Sequence, residues 1–281
     1  MRPSERLTAL ALLLLSAVTA ASGAAGAGPR LAALAALLAA VLGLARTGAR
    51  AGPLGLQRDF APGVVVAAFL LLQPVIEALN PRRYDATFAA LDARWLDGLA
   101  AAWRGLFGRP APLTDLLYAA YASFYLLPLS VAAAARLRRG PEAFEQVAFA
   151  VLLGFYLSYA GYFLWPTSGP RVPAGEEAAR LGGGALSALV RAFLRGAEAT
   201  TLDAFPSGHT ALALVPAALG TRLFPRWGAA LWGWAAAVIV ATVYISAHYV
   251  VDVVAGALLA LLTLLAAPAV SRALGAGRRV A

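Results

Sequence analysis

Residues 245–268 have the sequence ISAHYVVDVVAGALLALLTLLAAP, in which His248 and Asp252 stand near the start of a long apolar run. The run from 248 to 268 matches the length of about 20 residues that a helix needs to cross the hydrocarbon of a bilayer. His248 and Asp252 lie four residues apart at its start. On a helix this spacing places both side chains on one face, where they can touch. The stretch therefore predicts a membrane-spanning helix that begins with a histidine–aspartate pair.

Comparable apolar runs recur along the chain, so that 61% of its 281 residues are hydrophobic and 13% are charged. Soluble domains contain about 25% charged residues, which makes this composition typical of a membrane protein. We therefore predict an all-α fold, namely a polytopic membrane helix bundle. The predicted spans are residues about 7–24, 30–45, 60–79, 113–135, 143–165, 206–223, 228–245 and 248–268.

The positions of these spans divide the chain into three parts. Residues 1–59 contain two N-terminal transmembrane helices, residues 60–268 form a six-helix membrane domain, and residues 269–281 are a cytoplasmic tail. The first helix follows Arg2 and Arg6 and precedes a stretch of small residues, a pattern that is also typical of a signal peptide. We favour a retained helix.

Two longer connections lie within the six-helix domain. An outer loop is predicted at 166–205, and an interfacial helix at about 85–107, where apolar residues from Phe88 to Trp103 recur at helical spacing. A helix with tryptophan on its apolar face and charges on the other is typical of the membrane–water interface. This helix either caps the bundle or lines an entry for lipid.

The arginines of the short connections all lie on one predicted side of the membrane, which the positive-inside rule assigns to the cytoplasm. Both histidines then lie at the extracytoplasmic face. Basic residues are scattered rather than clustered on one face, which argues against a nucleic-acid partner. A chain rich in alanine and arginine, without lysine, is typical of a high-GC bacterium, so we expect a bacterial plasma membrane. The arginines concerned are Arg46, Arg50, Arg58, Arg136, Arg138, Arg139, Arg222, Arg226, Arg272, Arg278 and Arg279.

The pair His248 and Asp252 has the composition of an activated imidazole. A carboxylate that accepts a hydrogen bond from one ring nitrogen fixes the tautomer and leaves the other nitrogen with a free lone pair. Such an imidazole is a nucleophile or a base. The alternative is a buried pair that joins two helices without taking part in chemistry.

The other histidine lies in FPSGHTALAL, residues 205–214. Pro206 suits a first helical turn because the N–H that it lacks would have no partner there. Ser207 and Gly208 would present a hydroxyl and backbone N–H groups at a helix start, which binds anions. His209, in the same turn, could protonate a leaving oxygen. The alternative is an ordinary capped helix with a histidine at the interface.

A third element is WPTSGPR, residues 165–171, whose Arg171 could hold phosphate oxygens in a bidentate fork. The alternative is an ordinary loop arginine. Together, two imidazoles and a guanidinium are the parts that metal-free phosphoryl transfer requires. We therefore expect no cofactor. Because the sequence shows no cluster of carboxylates, we predict no metal site, and the absence of cysteine excludes a thiol nucleophile.

These motifs resemble a known family. PSGH followed by HYVVD resembles motifs two and three of the type 2 phosphatidic acid phosphatase superfamily, over residues of about 60–268. WPTSGPR and NPRRYDATFAALD are more similar to its inositol phosphorylceramide synthase-like (inositolphosphotransferase) branch. The resemblance implies that His248 forms a phosphohistidine, that Asp252 orients it and that His209 protonates the leaving group. It also implies that phosphate oxygens are held by Arg171, Ser207 and the backbone of Gly208.

The chain departs from the phosphatase pattern at two places, and both fit the synthase-like branch better. The lysine of motif one has no counterpart, and Ala241 and Thr242 stand where the phosphatase form of motif three has serine and arginine. The second cationic phosphate ligand is therefore unassigned. The candidates are Arg82, Arg83, Arg180, Arg191 and Arg195.

The sequence thus predicts an integral membrane phosphotransferase or phosphatase that acts on a lipid or polyprenyl phosphate ester. Transfer of a phospho-head group to a polyol or lipid alcohol is favoured. One alternative is a lipid phosphate phosphatase that only hydrolyses. Another is a proton-coupled transporter, although a proton relay is expected near the bilayer midplane rather than at one surface. A third is a non-catalytic membrane scaffold.

Overall fold

The structure is a computed structural model that describes residues 1–47, 59, 63–95, 102, 105–106, 108, 110–171, 176–197 and 201–275. Its regular elements in these ranges are helices. In chain order they are α1 Pro3–Ala21, α2 Ala27–Thr47, α3 Val64–Phe69, α4 Gln73–Leu79, α5 Asp85–Trp95, α6 Ala111–Ala122, α7 Leu126–Arg139, α8 Pro141–Leu164, α9 Glu177–Leu181, α10 Ala185–Ala197, α11 Gly208–Leu223, α12 Gly228–Tyr244 and α13 Val250–Gly275.

Within the described residues, 6 helical segments are long and apolar enough to cross a membrane. This finding confirms the predicted all-α, multi-pass membrane bundle. One of the segments is composite, because α6 and α7 are joined by a 3-10 turn at Ser123–Tyr125. The segments are Pro3–Ala21, Ala27–Arg46, Ala111–Arg139, Pro141–Leu164, Pro225–Tyr244 and Val250–Gly275.

The helix α11 lies in the middle of the bundle, where it packs against α7, α8, α12 and α13. It has 16 residues, and its contact faces are rich in small side chains such as Ala211 and Ala217. Small residues let helix backbones approach closely in a membrane. At Gly256 of α13, for example, a Cβ atom would lie 2.5 Å from the carbonyl oxygen of Ser207. The start of α11 is thereby held directly against α13.

The predicted third span, at about 60–79, is not a continuous helix. The structure has two short helices there, α3 and α4, separated by a break at 70–72. Pro74 lies in the first turn of α4. A proline has no backbone N–H, and its ring collides with the carbonyl four residues earlier, so a helix cannot pass through it undisturbed. The sequence prediction overlooked this local signal.

The first helix, α1, packs against α2, α8 and α13. Its Leu12 is fully buried, and the backbone N–H and hydroxyl of Ser4 both donate to the Glu145 carboxylate at 2.7 Å. Arg2 and Arg136 donate to opposite oxygens of Asp59, at 2.7 and 2.6 Å. That α1 is retained rather than cleaved stays a prediction.

The two ends of the bundle differ in charge. We call one end the arginine end, because α7, α11 and α13 finish there among Arg136, Arg139, Arg222 and Arg272. Contacts across it include the bond from Arg139 to the Leu223 carbonyl, at 2.8 Å. The opposite end, which we call the motif end, contains the end of α8 and the starts of α11 and α13. The predicted site residues lie at the motif end.

The helix α5 lies at the motif end and covers the first half of the predicted interfacial helix. Its Phe88 is buried and stacks on Phe205 with the ring centroids 4.2 Å apart, so this part of the predicted apolar face packs on protein. Most of the remaining predicted helix, including Leu99 and Trp103, lies outside the described residues. Its place at the membrane interface stays a prediction.

Candidate active site

The start of α11 is built by the segment that precedes His209. Ser207 is the N-cap, and its hydroxyl accepts from the Thr210 N–H at 3.2 Å, which is the usual role of serine at a helix start. The Ser207 N–H donates to the Asp252 carbonyl at 3.0 Å, which ties this start to α13. A Cβ at Gly208 would lie 2.6 Å from the hydroxyl of Tyr162. Only glycine fits there without displacing the tyrosine.

The two histidines, which sequence reasoning predicted to share a site, are in direct contact. Nδ1 of His209 lies 3.2 Å from Nε2 of His248. The His209 ring stacks on Tyr121 at 4.3 Å and lies 4.4 Å from the ring of Phe124. His248 is 4% exposed, whereas His209 is half-buried. The two residues are 39 positions apart in the chain, so the fold creates this pair.

The hydrogen bonds of His248 fix its tautomer. Nδ1 lies 2.9 Å from the carbonyl oxygen of Ala204 and 3.5 Å from Oδ2 of Asp252. A carbonyl can only accept, so Nδ1 carries the proton and Nε2 of the neutral ring has the lone pair. The predicted orienting role of Asp252 is therefore shared with a backbone carbonyl that lies nearer to the ring.

Asp252 also has a second role that the sequence prediction did not include. The helix α13 begins at Val250, so His248 lies in the bend before the helix and not on its first turn as predicted. Oδ2 of Asp252 accepts from the N–H of Tyr249 at 2.9 Å. A side chain that reaches back in this way satisfies an N–H that has no partner within the helix. Asp252 thereby caps α13 while it contacts His248.

Arg171 is held by a carboxylate that the sequence prediction missed. Its Nη2 donates to Oδ1 of Asp203 at 2.8 Å. Burial raises the pKa of Asp203, and the adjacent Arg171 guanidinium opposes that rise. Asp203 precedes Ala204, whose carbonyl binds His248, so one dipeptide joins the guanidinium to the imidazole pair. The position of Asp203, just ahead of FPSGH, was visible in the sequence.

The loop at 165–171 packs directly on the other two motif segments. The Ala204 N–H donates to the Thr167 carbonyl at 2.9 Å. Gly169 has φ +77°, and a Cβ there would lie 2.4 Å from the carbonyl oxygen of Ala247. That left-handed conformation and the close approach both require glycine. The three predicted motif segments therefore converge at one place, as the sequence argument expected.

Two further carboxylates, both on α5, bind the backbone of these segments. Oδ1 of Asp85 accepts from the N–H groups of Ser168 and Gly169, at 2.9 and 3.0 Å. The two oxygens of Asp92 accept from Val250 and Val251, at 2.7 and 2.8 Å. The sequence analysis named the segment that contains them but gave neither residue a role. Asp85 and Asp92 are 83 and 158 residues away in the chain from the residues that they bind, so no local sequence pattern reveals these contacts.

A cleft beside His209 opens between α3, α8, α11 and the 3-10 turn at Ser123–Tyr125. Its cavity volume is about 60 Å³, and it is lined mainly by apolar and aromatic side chains. Asp203 and His209 contribute the charged and titrating groups of its lining. Val66 and Leu70 of α3 also line it and are exposed on the outside of the bundle. The cleft thus connects the imidazole pair with an apolar surface.

Three of the five candidate arginines for a second phosphate ligand, Arg83, Arg180 and Arg191, have described contacts with groups other than the imidazoles. Arg180 pairs with Glu176 at 2.7 Å, and Arg83 lies 3.7 Å from Glu77. Arg191 is buried, lies 5.0 Å from the centre of the Tyr118 ring and donates to the Gly182 carbonyl at 3.2 Å. The second cationic phosphate ligand is therefore not assigned to any of the five candidates, Arg82, Arg83, Arg180, Arg191 and Arg195. Among the described residues, no group of three or more His, Asp and Glu side chains could hold a metal.

The bundle is that of a multi-pass membrane protein, and its motif end contains the groups that phosphate ester chemistry requires. A comparison with family models identifies the family: the model described as PAP2 superfamily matches residues 86–266. The chain therefore belongs to the PAP2 superfamily, which confirms the superfamily predicted from the motifs. Membership indicates an enzyme with phosphatase or phosphotransferase activity on phosphate esters. No curated protein and no solved structure matches the chain significantly.

Proposed function

We propose that the protein transfers or hydrolyses a phosphate ester of a membrane lipid or polyprenyl alcohol through a phosphohistidine on His248. The observation that supports this most directly is the 3.2 Å contact between Nδ1 of His209 and Nε2 of His248. The two nitrogens face each other, so a phosphorus atom placed between them has a nucleophile on one side and an acid on the other. This is the in-line arrangement that phosphoryl transfer uses.

In the first step, the lone pair of His248 Nε2 attacks phosphorus while the ester P–O bond breaks. His209 has to be doubly protonated for this step; it gives its Nδ1 proton to the departing oxygen and becomes a neutral imidazole. In the second step, a hydroxyl group or water returns a proton to His209 and attacks phosphorus, and the N–P bond breaks. The phosphoryl group has to separate the rings by roughly 4 Å, given the usual reacting and hydrogen-bond distances. His209 is the more exposed ring and is the one expected to move.

The phosphate oxygens are proposed to bind Arg171 and the start of α11. Asp203 fixes the guanidinium of Arg171 at 2.8 Å, and the carbonyl of the following residue, Ala204, contacts His248. Ser207 and the backbone N–H of Gly208 lie at the first turn of α11, where the helix dipole favours an anion. The cleft beside His209 suits a hydrocarbon chain, because Val66, Leu70 and Phe155 line it.

Transfer of a phospho-head group to an alcohol, as in the inositolphosphotransferase branch, is the form of the reaction that we favour. It is supported by the two departures from the phosphatase motifs at motif one and at Ala241 and Thr242. Hydrolysis by a lipid phosphate phosphatase is the second candidate. An extracytoplasmic site in a bacterial plasma membrane is supported by the arginines at the opposite end of the bundle, because arginine-rich ends face the cytoplasm.

The test uses the full chain purified in detergent and ³²P-labelled phosphatidic acid, phosphatidylinositol and polyprenyl phosphate. We expect turnover of at least one donor, an acid-labile and base-stable phosphoenzyme, and loss of both in His248→Ala. Added polyol or lipid alcohol should divert the labelled phosphoryl group from water if the enzyme is a transferase. Turnover that survives in His248→Ala would refute the nucleophile assignment, and a wild type inactive on every donor would refute the substrate class. Arg138→Ala, a change of an exposed residue at the arginine end, is the control.

A further inference from the structure

One face of α5 contacts all three motif segments. Asp85 binds the loop that leads to Arg171, Phe88 stacks on Phe205 ahead of the start of α11, and Asp92 binds the start of α13. These residues lie at positions i, i+3 and i+7, which share one side of a helix. We propose that α5 is a positioning helix, which aligns the imidazole pair and the Arg171 loop through Asp85, Phe88 and Asp92. As a statement about catalysis, this rests on the proposed function.

The contacts of Asp92 explain how α5 acts on His248. The helix α13 begins two residues after His248, and its first N–H groups have no partner within the helix. Asp92 accepts from Val250 and Val251 through separate oxygens, while Asp252 accepts from Tyr249. The backbone on the C-terminal side of His248 is therefore fixed at three successive N–H groups, two of which donate to Asp92 of α5.

The contacts of Asp85 act on the same histidine from the other side. Its Oδ1 holds the N–H groups of Ser168 and Gly169, and Gly169 packs against the carbonyl of Ala247. Ala247 directly precedes His248. The N–H of Tyr84 also donates to the Pro166 carbonyl at 3.1 Å, so the start of α5 and the loop are joined at several points.

Phe88 supplies the remaining contact, with the segment that binds the Nδ1 atom of His248. Phe205 is stacked between Phe88 at 4.2 Å and the edge of Trp165 at 5.6 Å. It follows Ala204, whose carbonyl accepts from His248. A shift of α5 would thus reach the imidazole pair along each of the three segments.

The two carboxylates differ in a way that makes the proposal testable. Asp85 receives both of its bonds on one oxygen, whereas Asp92 uses one oxygen for each bond. An asparagine has one acceptor oxygen. Asp85→Asn can therefore keep both bonds, whereas Asp92→Asn loses one, and both alanine variants lose two. Asp115, on α6, is the matched control because its Oδ1 also accepts two backbone N–H groups, from Gly184 and Ser187.

The experiment uses the fact that the chain has 2 histidines. Selective ¹⁵N labelling of histidine gives ring signals from His209 and His248 alone, with or without enzymatic activity. We expect their signals to move in Asp92→Ala, Asp92→Asn and Asp85→Ala, and to stay near those of the wild type in Asp85→Asn and Asp115→Ala. In parallel, kcat should fall about 10- to 100-fold in the variants whose signals move, with KM nearly unchanged, because a small misplacement of reacting groups costs that much.

Ring signals that stay unchanged in folded Asp92→Ala and Asp85→Ala would overturn the proposal. So would an Asp115→Ala variant that moves them equally, since that would indicate a general loss of stability. If Asp92→Ala does not fold, the histidine ring signals of Asp92→Asn and Phe88→Leu are measured instead, and unchanged signals in these variants would overturn the proposal in the same way. A wild type without turnover would count against the proposed function, whereas the ring signals would still decide whether α5 positions the histidines.

Discussion

The Asp59 cluster at the arginine end of the bundle joins charged side chains, whereas three carboxylates at the motif end bind backbone N–H groups. Asp59 holds Arg2 and Arg136 in one ionic cluster. By contrast, Asp85, Asp92 and Asp252 accept from the backbone of loops and helix starts. Ion pairs between side chains can stabilise a bundle without fixing any loop exactly where it lies. Bonds to the backbone fix the course of the chain itself, which a site made of three separate segments needs.

The largest effect on turnover among the remaining variants is expected for His209→Gln, at the motif end. Loss of a general acid lowers the rate by about 10²- to 10⁴-fold. The loss should be large for an alkyl phosphate ester and much smaller for an aryl ester, whose leaving oxygen needs little protonation. Initial rates on both ester types measure this difference. Equal losses on the two esters would contradict the role of acid, and His248→Ala, inactive on both, is the reference.

A smaller loss of activity is expected for Arg171→Ala. The guanidinium lies 2.8 Å from Asp203 and is proposed to hold phosphate oxygens. Loss of one such group typically lowers turnover by about 10²-fold. Arg171→Lys should recover part of it, because an ammonium keeps the charge but not the fork. The control is Arg138→Ala, which removes an exposed guanidinium at the arginine end. Equal kcat/KM values for the two alanine variants would place phosphate binding elsewhere.

The smallest effect on catalysis, and the clearest effect on stability, is expected for Asp59→Asn at the arginine end. Its carboxylate is 9% exposed, and the change removes the charge that Arg2 and Arg136 bind. Removing one partner from a buried ionic group costs about 3 kcal/mol. Thermal unfolding in detergent should begin at a lower temperature, while kcat/KM per folded molecule stays constant. A fall in kcat/KM with an unchanged midpoint of thermal unfolding would contradict the purely structural role of Asp59.

The sequence predicted most of the helices, and it allowed candidate site residues to be named, because these signals are local. Apolar runs of spanning length identify membrane helices wherever they occur. PSGH and HxxxD each lie within a few residues, so His209, His248 and Asp252 could be named without a structure. The orientation argument from loop arginines also predicted correctly that the three motif segments meet at one end of the bundle.

The residues that sequence reasoning missed act through the backbone or over long distances. Asp85 and Asp92 bind N–H groups, which every residue except proline possesses, so no partner residue type reveals them. The Ala204 carbonyl, which is closer to His248 than Asp252 is, cannot be recognised from a side chain. The break between α3 and α4 is a different case, because Pro74 was present in the apolar run and was not weighed.

The contact between the guanidinium of Arg6 and the carbonyl of Leu274 has a consequence for biogenesis. α1 and α13 pack together although they lie at opposite ends of the described chain. During synthesis, α1 enters the bilayer long before α13 has been translated. Helices that are stable individually in lipid can wait for partners and associate afterwards. The contact between α1 and α13 is therefore expected to form late, once α13 has been translated and inserted.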